Sequence, residues 1–137
     1  MSIHFYHSKF AGLVLCLGIL TLSAVAQPTV ISVSPAANQK AAARTTPVTV
    51  RFSQSLTAGS ESALRVFSSQ RRGLRTNTSG TTTLNNDQLT FAPSFDFRPG
   101  ETVRVGVTTA ARSSAGALAT PRLFQFTAAA TGGYGAL

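Results

Sequence analysis

The chain has 137 residues, with twelve Lys and Arg against four Asp and Glu, a formal charge of +8, and only one Cys, two His and no Trp. This length bounds the chain to one domain, and the charge favours anionic surfaces and polymers as partners. One Cys excludes an internal disulfide, and so few soft ligands leave little for a zinc or copper centre.

The N-terminal segment comes first in the chain and decides much of the chemistry. Lys9 precedes an apolar stretch from Phe10 to Leu22, and Ala24-Val25-Ala26 places small residues just before Gln27. That order of charge, apolar run and small residues predicts a secretory signal peptide over residues 1–26. The apolar run of residues 10–26, 17 residues in all, is short of the roughly 20 needed to span the hydrocarbon core, and no basic stop-transfer cluster follows. Membrane contact is thus expected only through this segment, if it is left uncleaved. Cys16 sits after Leu13-Val14-Leu15 in mid-run, which argues against lipidation.

Cleavage would remove Met1, His4, His7 and Cys16 together, leaving about 111 residues with no His, Cys or Met. Ser-His-Asp and Cys-His machinery is excluded on that ground. The remaining charges are ten Arg and Lys40 against Glu61, Asp87, Asp96 and Glu101.

From Pro28 onward, short runs alternate apolar and polar residues between Pro, Gly, Ser and Asn, with no helical period. Strands are predicted at Thr29 to Val33, Val48 to Ser53, Ala63 to Phe67, Thr81 to Leu84, Gln88 to Phe91, Thr102 to Thr108 and Arg122 to Thr127. In the second, Val48, Val50 and Phe52 are expected to face in; in the sixth, Val103, Val105 and Val107. A slip of one residue would bury Arg51 or Arg104, so both registers are well specified. Further inward candidates are Ile31, Val33, Leu64, Val66, Leu84, Leu89, Phe91, Phe124 and Phe126. Asn85-Asn86-Asp87 suits a hairpin, and Pro99-Gly100 a turn into the Val103 strand. Seven strands of this kind predict an all-β, two-sheet antiparallel sandwich over residues 27–130. Arg71 to Gly80 is expected to be a polar connection or a poorly paired edge strand, and residues 131–137 a Gly-rich tail.

Several segments carry a resemblance. Ile31-Ser32-Val33-Ser34-Pro35, the run from Thr46-Pro47 to Phe52-Ser53, Leu89-Thr90-Phe91-Ala92-Pro93, Pro99-Gly100-Glu101-Thr102-Val103-Arg104-Val105, and Ser114 to Leu118 before Phe124-Gln125-Phe126-Thr127 follow one another in that order. Together they resemble the bacterial Ig-like domain of the S-layer protein (SbsA) type, from Pro28 to about Ala128. The resemblance implies an Ig-like sandwich that is not an enzyme. It implies a structural, spacer or adhesion module of exported, often multidomain, bacterial proteins, and so a chain that is secreted or held at the cell surface, as a whole protein or a fragment of a larger one. Arg112 to Ala117 stands where family members commonly carry Asp or Asn, which argues against calcium capture at that turn.

Candidate sites are few. Arg71, Arg72 and Arg75 form the densest basic cluster, with Arg65 nearby, and guanidinium groups on a rim loop can fork onto carboxylate or phosphate. This gives the alternative function, a basic protein binding acidic polysaccharide or another polyanion. The leading partners are surface polysaccharide and neighbouring protein domains. Specific nucleic-acid recognition is not expected, because no aromatic residue lies between Phe67 and Phe91 to stack bases. Asp87, Asp96 and Glu101 lie on separate turns, a poor start for the six or more oxygens of a calcium site. No catalytic residue, metal site or cofactor is therefore expected. Of Phe95 and Phe97, which flank Asp96, one is expected to plug the end of the core.

Overall fold

A computed structural model describes Ser2 and residues 24–130, Arg72 excepted. The signal peptide expected over residues 1–26 lies outside the described residues as far as Ser23, apart from Ser2, and so does the expected tail of residues 131–137.

Among the described residues, ten strands follow in chain order: β1 Val30–Ser34, β2 Val48–Phe52, β3 Leu64–Ser68, β4 Gly73–Leu74, β5 Gly80–Asn85, β6 Gln88–Pro93, β7 Thr102–Val107, β8 Arg112–Ser113, β9 Gly116–Ala117 and β10 Arg122–Thr127. They form two four-stranded sheets, ordered β1-β2-β6-β5 and β10-β7-β3-β4, and a small β8-β9 hairpin. Every strand pair is antiparallel. The seven expected strands are all present. The three additional ones have two residues each, too short for alternation to show.

The core fills the space between the two sheets, and its rows follow from the period of two. Val48, Val50 and Phe52 of β2 and Leu89 and Phe91 of β6 meet Leu64 and Val66 of β3, Val103, Val105 and Val107 of β7, and Phe124 and Phe126 of β10. All but Phe124 are almost fully buried. Arg51 and Arg104 stay outside, as the register argument requires.

One inward expectation is corrected. Ile31 is 58% exposed, while Val30 and Val33 pack against the core instead. The pairing of β1 with β2 is irregular between Val30 and Ser32, and this bulge reverses the phase of the residues before it. The other turns behave as their residue types dictate. Asn86 takes the left-handed backbone (φ 54°) between the paired residues Asn85 and Gln88, and Gly100 does so (φ 69°) just before β7.

Candidate functional site

Two recesses are built by the sheet that contains β3, β4 and β7. The first lies on its outward face. Because inward residues alternate with outward ones, the strand pairings fix the face as two rows: Arg65, Gly106 and Leu123, then Phe67, Arg104 and Gln125. Gly106 leaves a notch between longer side chains, and the Leu123 side chain leans toward it. A Cβ at position 106 would stand 3.3 Å from Leu123 Cδ2. Leu123 is 81% exposed and Phe67 43%. They border an open groove of about 1060 Å³ together with Arg104 and Arg122. Its chemistry is apolar surface flanked by guanidinium groups.

The second recess lies beside the β3–β4 connection and involves the arginine cluster. Of the candidate anion-binding patch of Arg71, Arg72 and Arg75, the structure describes two members, and of those only Arg71 lines the recess. Arg72 lies outside the described residues, and Arg65 belongs to the outward face just described. Arg75 is fully buried. Its Nε donates to Ser79 Oγ (2.9 Å), and its Nη2 donates to the carbonyls of Ser79 (3.2 Å) and Phe95 (2.6 Å). Its guanidinium lies 4.9 Å from the centre of the Phe97 ring, a cation–π contact. Phe97 fills the end of the core edge-on to Phe126, with ring centres 5.5 Å apart, as expected of one member of its pair. Phe95 is the exposed member, and the Arg71 guanidinium lies over its ring at 5.5 Å.

Arg71 and Phe95 line a pocket of about 470 Å³ with Gln70, Leu74, Thr78, Ser79 and Arg98. Arg75 sits behind its wall, holding Ser79 and Phe95 in place. Burial first, and then the neighbouring charge of Arg71, lower the Arg75 pKa from its ordinary value, with Glu101 opposing. Arginine remains charged under such a shift. The wall of the pocket therefore holds a fixed positive charge.

Glu101, weighed from the sequence only as a calcium ligand, fixes the neighbouring backbone. It is fully buried. Its Oε1 accepts from the Ser68 hydroxyl and the Gln70 amide, and its Oε2 accepts from the Arg98 amide. One carboxylate thus ties the end of β3 to the turn before β7, and positions Gln70 and Arg98 at the pocket. Burial alone would raise its pKa. The Ser68 hydroxyl, the two amides and the Arg75 charge outweigh that, so the carboxyl lies below its ordinary value. A signal for it existed in the sequence: Glu101 continues the inward parity of Val103, Val105 and Val107, and Ser68 continues that of Leu64 and Val66.

Two further acids are also tied to structure. Asp87 pairs with Arg51 at 3.1 Å, and Glu61 accepts the Gly59 amide. Among the described residues, no three Asp, Glu, His or Cys lie close enough to hold a metal ion.

Comparisons with known proteins agree with this architecture. The L,D-transpeptidase LdtMt1, in complex with imipenem, is 23% identical over 74% of this chain, with a TM-score of 0.55. CopC from Methylosinus trichosporium OB3b is 16% identical over 77%, with a TM-score of 0.54. The surface layer protein SbsC, domains 1–6, is 17% identical over 77%, with a TM-score of 0.51. The similarity spans 97% of the CopC chain but only 40% of the transpeptidase and 14% of SbsC. At these identities the likeness is one of fold. No curated protein matches the chain in sequence. The sequence pattern of one family, described as a bacterial Ig-like domain, matches residues 24–128, nearly the whole described chain, and the protein belongs to that family.

Proposed function

We propose that this protein is a non-enzymatic Ig-like module, of the type found in S-layer proteins, that is exported through a cleaved signal peptide. It serves a structural, spacer or adhesion role at the cell surface or outside the cell. The observation that carries this reading is the outward face of the β10-β7-β3-β4 sheet, where Phe67 and Leu123 stand exposed beside Arg104 and Arg122 on an open groove. Burial of the core between the sheets gains nothing from apolar side chains on the opposite, outward face, and exposed apolar surface of this kind marks contact sites. The buried charges support the same reading, since Glu101 and Arg75 spend their hydrogen bonds on holding backbone rather than on a reacting group.

The test is to express the full coding sequence in a bacterial host and recover the product from the cytoplasm, envelope and medium. The expected product is outside the cytoplasm and begins at Gln27. A chain kept in the cytoplasm with residues 1–26 attached would refute the proposal. A second arm compares retention on isolated envelopes for the native chain and a Phe67→Ser, Leu123→Ser double variant. Weaker retention of the variant is expected; equal retention removes the groove from the argument.

A further inference from the structure

The pocket beside the β3–β4 connection has no part in that outward groove, and its chemistry points to a ligand of a particular class. Arg71 and Arg98 supply two guanidinium groups at its lining, and the fully buried Arg75 stands behind Ser79 and Phe95. Among the described residues, two nitrogen atoms here are buried without a hydrogen-bond partner, Arg71 Nε and Arg75 Nη1. Of the two, Arg71 belongs to the lining and Arg75 lies behind it; an unpaired guanidinium donor at a recess is costly unless an acceptor reaches it, and the acceptor that suits a guanidinium fork is a planar oxyanion. Glu101 does not fill that role: its oxygens accept from Ser68, Gln70 and Arg98, and among the described residues it makes no ion pair with Arg71 or Arg75.

Size and lining narrow the class. A lone carboxylate or phosphate would occupy a small part of about 470 Å³, so the anionic group belongs to a larger body. Five of the seven lining residues are polar, with Leu74 and Phe95 the exceptions, which disfavours an acyl chain. Among the described residues, Phe95 is the one aromatic ring in the lining, and Arg71 covers a face of it, so the pocket offers no pair of aromatic planes for a base to slot between. A hydroxylated ring fits this mixture, its hydroxyls meeting Gln70, Thr78 and Ser79 and its carbon face the exposed part of Phe95.

We infer that the pocket formed by Gln70, Arg71, Thr78, Ser79, Phe95 and Arg98 binds a carboxylate-bearing sugar unit of an acidic polysaccharide. Arg71 and Arg98 hold the carboxylate, and Arg75 acts as a positioning residue through Ser79 and Phe95. The inference rests on the surface-module reading and gives that module a ligand.

The experiment is calorimetric titration of the purified full chain at physiological salt with a galacturonate tetramer, its uncharged methyl ester, and inorganic phosphate. Saturable binding of the tetramer is expected. Arg71→Gln and Arg98→Gln should each weaken it about tenfold, the usual scale for a charge-assisted hydrogen bond. Arg104→Gln and Arg122→Gln, which alter the other recess, should leave it unchanged. Thermal melts check that each variant is folded. The proposal is overturned if the tetramer does not bind, if the methyl ester binds equally well, if phosphate competes at equal concentration, or if all four variants weaken binding alike. Failure of the surface-module reading would show separately, as a chain retained in the cytoplasm whatever the titration gives.

Discussion

Glu101 offers a prediction whose size follows from the structure. Glu101→Gln keeps the shape but removes the charge and replaces one acceptor oxygen with an NH2 group. Either the Arg98 amide or the pair formed by the Ser68 hydroxyl and the Gln70 amide then faces a donor instead of an acceptor. Hydrogen bonds to a charged group contribute about 1.5–3 kcal/mol each against about 1 for neutral ones, and a buried donor left unpaired costs about 1–3. A loss of about 3 kcal/mol at neutral pH follows.

The pH dependence has a definite sign. Because the Glu101 pKa is lowered in the folded chain, the unfolded chain binds its proton first as pH falls, and the stabilisation present at neutral pH disappears through the acid range below about pH 4. Urea unfolding of both proteins at pH 7 and pH 3 tests this, since the two chains differ at position 101 alone. The gap of about 3 kcal/mol should shrink markedly at pH 3. A gap below about 1 kcal/mol at pH 7 would refute the argument, and so would one unchanged by pH.

Three further outcomes are expected from the packing. Phe52→Ala and Val105→Ala, each removing a side chain about 1% exposed, should cost roughly 2–4 kcal/mol in urea unfolding, and a cost below about 0.5 would show the strand registers to be wrong. Gly80→Ala should destabilise by at least about 1–3 kcal/mol, since its Cβ would stand 2.3 Å from the Phe91 ring and 2.7 Å from the Ala92 carbonyl. Gly106→Ala should change stability by less than about 0.5 kcal/mol, because its closest neighbour, Leu123 Cδ2 at 3.3 Å, ends an exposed and movable side chain; equal melting losses for both glycine variants would contradict this contrast.

The sandwich was legible because its strands are buried on one face only, so the alternation in β2 and β7 carried both the strand and its orientation. Where the alternation is broken by backbone geometry rather than by residue type, it misleads: no residue in Val30 to Ser34 announces a bulge, and Ile31 shares the parity of Val33 yet faces out. The candidate pocket was harder to read for a related reason. Composition places charges at the surface, and by that rule Arg75 belongs to a rim cluster with Arg71 and Arg72, whereas the chain buries it against Phe97 and bonds it to the Ser79 and Phe95 carbonyls contributed by two separate loops. Partners of that kind are fixed only once the loops are closed, so no local pattern reports them. Glu101 differs, because its inward position follows from the same parity as Val103. An ionisable residue in phase with a buried row must find a counter-charge or a set of donors, and the adjacent strand supplies Ser68 in the matching phase. The parity that places Val103, Val105 and Val107 in the core therefore also places the carboxylate that shapes the pocket.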